Sequence, residues 1–251
     1  MLTTELMIII GPPLVAGLLI SITHAPLGIE VLRRGIIFID LAIAQIAGLG
    51  LVAAEIILHE PPMLIVQAAA LGAAVLAGLF FRKIESRMPK HQEAIIGVAF
   101  ILAASLTILI LADHPFAGEK TTHLLSGQIL FVSWGDVLYH LPVYLFTLAT
   151  WFLIPRSRGG VWFYLIFALA ITSSVQLVGV YVVFASLILP ALSVVNFNNS
   201  VIYAWICGIS AILLAMLVSV LSDLPTGPFI VITYTVVAIL MLTIGKKKQL
   251  G

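Results

Sequence analysis

The chain has 251 residues, of which 62% are hydrophobic and only 9% are charged, and its mean hydropathy is +1.21. Soluble domains carry about 25% charged residues, so this composition excludes a soluble globular protein. A single cysteine, Cys207, excludes a disulfide framework. We therefore expect an all-α polytopic integral membrane protein in which residues 1–251 form a single transmembrane domain.

Apolar runs separated by polar residues, proline or glycine predict the membrane spans, because about 20 helical residues cross the hydrocarbon core. These runs lie at residues 7–24, 36–58, 63–81, 94–112, 128–154, 160–174, 176–190, 201–221 and 227–244. The sixth and seventh runs have only 15 residues each. They could instead form one long tilted helix, so the count is eight or nine.

The positions of the basic residues favour nine spans. With nine spans and an external N-terminus, eleven of the twelve Lys and Arg residues face the cytoplasm, and only Lys120 faces outside. Eight spans with both ends inside would place Arg33, Arg34 and the cluster at 82–90 outside the cell. We therefore predict an external N-terminus and a cytoplasmic C-terminus.

Motifs that would give the chain its own catalytic chemistry are missing from the sequence. It has no GxxxxGK[ST] phosphate loop, no HExxH, no GxSxG and no pair of cysteines. We therefore expect no enzymatic activity and no bound cofactor. Energy for any transport has to come from a partner chain or from an ion gradient.

The second predicted span contains a carboxylate, Asp40, and a carboxamide, Gln45. Asp40 is expected about 9 Å into the helix beyond Arg34, and Gln45 lies on a different face, roughly 140° away. Ionisable groups at this depth are costly and usually functional, so both residues are candidates for a cation path. The alternatives are an ion pair of Asp40 with Arg33 or Arg34, and a helix–helix hydrogen bond from Gln45.

Further candidate ligands lie near the predicted outer surface. Glu55 and His59 are spaced i, i+4 on one helix face and would suit zinc or manganese, although an interfacial polar pair has the same spacing. The loop at 113–127 could also capture a cation, or be an ordinary polar loop, through Asp113, His114, Glu119 and His123. His24 and His140 are expected to be packing or interface residues.

The stretch Val178–Ser200 is an apolar run that reaches Pro190 and then continues to three asparagines, Asn196, Asn198 and Asn199. A proline followed by a short solvent-facing helix could dock a soluble partner. A plain turn between two spans is the alternative.

Five segments carry a resemblance across nearly the whole chain: Pro26–Gly28 with Arg33 and Arg34, Gln92–Gly97, Leu124–Asp136, Val178–Ala191 and Ser222–Pro228. In this order and spacing, they resemble the permease subunits of ABC transporters that import zinc, manganese or ferrous iron. The resemblance implies a homodimer in the bacterial inner membrane, two ATP-binding subunits and an extracytoplasmic metal-binding protein. It also implies that the ATPase docks on the segment containing Pro190, Ser193, Asn196 and Asn198.

The resemblance implies no metal other than the transported divalent ion, for which we expect zinc or manganese. Asp40 and Gln45 would then coordinate it weakly, because a tight site could not release it, and Glu55 and His59 would form an outer waiting site. Family members usually carry Asp-x-x-x-His in the second span, and here this pair is incomplete, with Asp40 and Ala44 or Leu41 and Gln45 at the two positions. The cytoplasmic segment after the fifth span is shortened to PRSRGG, and the usual arginine after the docking proline is absent.

Two other functions are compatible with the sequence. A proton-coupled secondary transporter would use Asp40 and Glu55 as proton carriers and predicts inverted repeats, and no convincing repeat is visible. A non-transporting permease paralogue acting as a membrane scaffold predicts that Asp40 and Gln45 can be replaced without effect. In every case we expect contact with membrane lipid and none with nucleic acid.

Overall fold

The structure, a computed structural model, describes residues 2–59, 61–112, 129–222 and 225–250, and describes side chains between residues 10 and 245 of these ranges. Within them the chain forms nine α-helices and no strand, so the expected all-α class is confirmed. The helices are α1 Leu2–Arg34, α2 Ile39–Leu58, α3 Met63–Arg87, α4 Gln92–Leu111, α5 Trp134–Leu153, α6 Gly160–Val178, α7 Val180–Ser193, α8 Ser200–Ser222 and α9 Thr226–Leu250. Short 3₁₀ turns, Pro89–His91, Ile129–Phe131 and Pro155–Arg158, precede α4, α5 and α6.

Eight of these nine helices are long and apolar enough to cross a membrane. The exception is α7, whose 14 residues extend about 21 Å, less than the roughly 30 Å hydrocarbon core. The chain is therefore a multi-pass membrane protein with eight full-length candidate spans and one shorter apolar helix.

Neighbouring helices run in alternate directions, and contacts between their ends identify the two ends of the bundle. Arg34, at the end of α1, contacts Glu85 near the end of α3 and the carbonyl of Arg158 just before α6. We call this end, where α1 and α3 finish and α4 and α6 begin, the basic end. At the opposite end Gly11 of α1 lies against Trp134, the first residue of α5.

The end of α9 lies toward the basic end, because Gly245 contacts Phe197 in the α7–α8 connection. Phe197 in turn packs in the same cluster as Ile29 of α1. The first and last helices therefore place their outer termini at opposite ends of the bundle, as an odd number of passes requires. Which end faces the cytoplasm remains a prediction from the basic residues.

The two short apolar runs predicted at 160–174 and 176–190 form two helices that meet at Gly179. A continuous helix would separate Ser174 from Ser186 by about 18 Å, yet both hydroxyls contact the imidazole of His24, at 3.0 and 2.8 Å. The chain therefore folds back sharply at Gly179, whose φ of 78° is a conformation that favours glycine. The alternative of one long tilted helix is wrong.

His24 is fully buried and connects four helices through a chain of hydrogen bonds. The Ser186 hydroxyl donates its one hydrogen to the carbonyl of Val183, so it accepts from Nδ1–H of His24. Nε2 then accepts from Ser174, and Ser174 accepts from the hydroxyl of Tyr144. This histidine is a buried packing residue, with both of its ring nitrogens hydrogen-bonded.

The first helix continues ten residues beyond the predicted boundary at residue 24, through Pro26 to Arg34. A proline inside a helix has no N–H to bond the carbonyl four residues earlier, and this loss normally ends or kinks the helix. Here that carbonyl belongs to Ile22, and it accepts a hydrogen bond of 2.9 Å from the indole N–H of Trp205 in α8. A tertiary contact therefore allows the helix to continue past Pro26.

The helices pack in two groups. In one group α2 packs on α3 and α4, and α3 packs on α6; in the other α1 packs on α7 and α8, and α9 packs on the same two helices. Backbone contact between α1 and α7 is close, because a Cβ on Gly28 would lie only 1.9 Å from the carbonyl oxygen of Leu187. The chain passes from one group to the other at Gly35, which has a φ of 67°, and at Gly179.

Candidate metal path along the second helix

The structure places all four predicted metal ligands on α2 or directly after it, but at three separate levels. Asp40 lies in the first turn, Gln45 lies one to two turns further, and Glu55 and His59 lie at the other end. The rise of the helix separates Asp40 from Glu55 by about 22 Å along the axis. The four residues therefore lie at different levels along α2 and do not surround one ion.

Asp40 is 1% exposed, and neither of its carboxylate oxygens has a hydrogen-bond partner among the described residues. It lies in the first turn and not 9 Å into the helix as expected, because the chain turns at Gly35 and α2 begins only at Ile39. At that position the free N–H groups and the positive end of the helix dipole favour a negative charge. They offset only part of the cost of burying an unpaired carboxylate.

The alternative of an ion pair between Asp40 and the neighbouring arginines is wrong. Arg33 pairs with Glu30, and Arg34 binds Glu30 at 2.7 Å and Glu85 at 2.8 Å. The Arg34 guanidinium also lies over a phenylalanine ring of α6, with 4.1 Å to the ring centroid. These contacts fix the ends of α1, α3 and α6 together and leave Asp40 unpaired.

A second carboxylate, Glu93 in the first turn of α4, lies beside Asp40 and interacts with it electrostatically. Its Oε1 accepts a hydrogen bond of 3.1 Å from the backbone N–H of Phe38, while its buried Oε2 has no partner in the described structure. Three carboxylate oxygens at the basic end are therefore unpartnered. The sequence marks the segment Gln92–Gly97 but assigns Glu93 no role, because only the fold brings the starts of α2 and α4 together.

Gln45 is half-buried and lines a cavity of about 400 Å³ between the two helix groups. Thr107 of α4 lies on the same side as Gln45, and Tyr181 and Phe184 of α7 lie on the other. The remaining lining is apolar. Phe184 also stacks on Phe38, with ring centroids 6.4 Å apart, so an aromatic pair lies between this cavity and the basic end.

Glu55 is half-buried and His59 is exposed at the end of α2, where His59 adopts a φ of 49°. The loop candidates Asp113, His114, Glu119 and His123 lie outside the described residues. In the part of the chain that the structure describes, no three His, Cys, Asp or Glu side chains come together as a metal centre.

The segment expected to dock a soluble partner differs from the prediction. No short helix follows Pro190: α7 continues through it to Ser193, and residues 194–199 form turns. Pro190 and Ser193 are buried, and the Ser193 hydroxyl donates to the Pro190 carbonyl at 2.7 Å. Asn196 is half-buried and Asn198 is exposed, so only these two of the four predicted residues reach the surface.

Eight helices that are long and apolar enough to cross a membrane place the chain in the class of multi-pass membrane proteins. The family model described as the ABC 3 transport family matches residues 7–158 and 154–245, and these segments cover most of the chain. The chain belongs to this family of metal-ion ABC transporter permeases. No curated protein matches it in a sequence comparison.

Two solved structures have a similar fold. PsaBC from Streptococcus pneumoniae in complex with Fab has a TM-score of 0.69 and 19% sequence identity, covering 92% of this chain and 90% of that one. An inward-facing metal-chelate type ABC transporter has a TM-score of 0.65 and 15% identity, covering 94% of this chain and 85% of that one. At such identities the similarity shows the fold alone.

Proposed function

We propose that this chain is the permease subunit of an ABC importer for a divalent transition metal, zinc or manganese. Two copies of the chain move the ion inward by alternating access, driven by a separate ATPase and supplied by an extracytoplasmic binding protein. Family membership supports the permease role. The observation that supports the metal path is Asp40, a fully buried carboxylate without a hydrogen-bond partner among the described residues, near Glu93.

In this proposal the ion meets weak ligands in succession along α2. Glu55 and His59 receive it at the outer end, Gln45 contacts it in the cavity between the helix groups, and Asp40 with Glu93 hold it before release. Each level offers only one or two ligands from one chain, and a second copy or water supplies the rest. Few protein ligands at each level support passage, because weak binding at several successive sites allows the ion to leave.

The turns at 194–199 are the proposed contact for the ATPase. Apolar side chains are exposed there, with Leu192 42% and Val195 60% exposed, next to the polar Asn196 and Asn198. Pro190 and Ser193 are buried and do not contact the ATPase themselves. Their hydrogen bond stabilises the end of α7, directly before the turns at 194–199.

A proton-coupled secondary transporter is the second candidate, because a buried carboxylate next to a half-buried one can also share and carry a proton. It differs in its energy source: a proton carrier works without an ATPase and stops when the proton gradient is removed. The two functions are therefore separable in one assay.

The test is uptake of radiolabelled zinc and manganese into proteoliposomes that contain the permease and its ATPase. We expect uptake that requires ATP and survives collapse of the proton gradient, and we expect Asp40→Asn to reduce it by about tenfold or more, since the carboxylate supplies the charge on the path. Asp136→Asn is the matched control, because it makes the same chemical change at the start of α5, away from α2, and should leave uptake intact. Uptake of neither ion, or full uptake by Asp40→Asn, contradicts the proposal.

A further inference from the structure

On the side of the protein formed by α3, α5 and α6, an apolar groove of about 540 Å³ is separate from the α2 path. Val75 of α3, Phe146 of α5 and Leu165 of α6 are among its lining residues. At the basic end the groove finishes at Arg156, in the 3₁₀ turn before α6, and at Trp162 in the first turn of α6. None of these residues belongs to the proposed metal path.

The mouth of this groove carries an uncompensated positive charge. Arg156 is exposed, and its guanidinium makes no ion pair or hydrogen bond with any residue that the structure describes. The nearby groups are already engaged: Arg158 donates to the carbonyl of Trp151, and Glu85 pairs with two arginines. Trp162 is 62% exposed, and its indole N–H has no acceptor in the described ranges.

The groove is long enough to hold part of an acyl chain within one half of the bilayer. Between Trp162 and Leu169, which lines its far end, α6 rises about 10 Å, compared with about 15 Å for half of the hydrocarbon core. Beyond Leu169 a second cleft on the same side of the protein carries the polar side chains His140, Thr172 and Ser173 within a mostly apolar lining. An apolar chain that enters from the basic end therefore fits at least as far as Leu169.

We propose that the groove binds an anionic phospholipid of the leaflet at the basic end, with its phosphate on Arg156 and Trp162 and one acyl chain along α3 and α6. Unpaired arginines at a membrane surface attract anionic headgroups, and the guanidinium fork matches two phosphate oxygens. Indole side chains favour the same headgroup level. A helix from a second copy would fit the apolar part of the groove but would bury Arg156 at a cost, since no described acidic side chain lines the groove.

The test compares phosphatidylglycerol with phosphatidylcholine of the same acyl chains, added to the purified full-length permease in neutral detergent. Native mass spectrometry counts the bound lipid. We expect phosphatidylglycerol to bind more tightly, and we expect Arg156→Ala to weaken its binding about fivefold, as for one basic residue at an anionic surface. Arg87→Ala is the matched control, because Arg87 is equally exposed at the basic end but does not line the groove.

A second variant tests the acyl chain and keeps the charge. Val75→Trp fills the groove and leaves Arg156 in place, so we expect it to reduce phosphatidylglycerol binding as well. Arg156→Gln replaces Arg156→Ala if the alanine variant does not fold, as judged by its thermal transition. Equal binding of the two lipids, an equal loss in Arg87→Ala, or a change from dimer to monomer in Val75→Trp overturns the proposal.

Discussion

At the residue scale, the buried carboxyl group of Asp40 carries an energetic cost, because neither of its oxygens has a hydrogen-bond partner among the described residues. A buried carboxylate without a partner destabilises the folded protein by several kcal/mol unless a ligand or a proton neutralises its charge. In a site that binds a cation transiently, such a carboxylate stays unpaired while the site is empty, and the stability of the folded protein is reduced as a result. Asp40 is therefore expected to reduce stability while it serves transport.

This trade-off predicts a variant that is more stable and less active. Asp40→Asn keeps the side-chain shape and removes the buried charge, so we expect the thermal transition of the purified permease to rise by about 2–4 °C. Asp136→Asn should instead lower it, because Asp136 accepts hydrogen bonds from the backbone N–H and hydroxyl of Ser133 in a capping box. A lower transition for Asp40→Asn would show that Asp40 has a stabilising partner.

Asp40 and Gln45 can be identified from the sequence alone, because they are polar residues within an apolar run. The sequence cannot identify Glu93 as the neighbour of Asp40, because that contact depends on α2 and α4 beginning side by side. For the same reason the sequence leaves open an ion pair of Asp40 with Arg33 or Arg34, although Glu30 and Glu85 bind Arg34 in space.

At the element scale, the contact between Trp205 and the Ile22 carbonyl explains how α1 extends through Pro26. Hydropathy predicts the positions of the spans well, since burial in lipid requires long apolar runs. Helix ends are predicted less well, because proline marks an end only when nothing else satisfies the freed carbonyl. Trp205 lies 183 residues from Ile22 in sequence, so local patterns do not reveal it.

A double-mutant cycle tests this contact. Trp205→Phe leaves the Ile22 carbonyl without a donor, and we expect a loss of about 1–3 kcal/mol in the free energy of unfolding. In a Pro26→Ala background the helix supplies its own N–H to that carbonyl, so the same replacement should cost much less. Unfolding followed by circular dichroism gives the four values, and equal costs in both backgrounds would show that the indole hydrogen bond does not support α1.

At the scale of the whole molecule, the alternating helices put the beginning of α1 and the end of α9 at opposite ends of the bundle. Most basic side chains of the described residues lie at one of these ends, and charge asymmetry of this kind sets orientation in membranes. The expected external N-terminus depends on this argument alone.

Thiol labelling tests the orientation directly, because the native cysteine, Cys207, is buried and contributes little background. Phe131→Cys places a thiol at an 80% exposed position before α5, and Lys90→Cys places one at the basic end. An impermeant maleimide should label Phe131→Cys in intact spheroplasts and Lys90→Cys only in inverted vesicles. The reverse pattern would invert the predicted topology.

The positions of Gly35 and Gly179 affect how the two helix groups could move relative to each other. The two glycines lie where the chain crosses between the two helix groups, on either side of the seam that contains the Gln45 cavity. Both adopt positive φ values that other residues reach only with strain. Each crossing spans only a few residues, so a rotation of one helix group relative to the other would change the backbone mainly at these two points and would widen or narrow the seam.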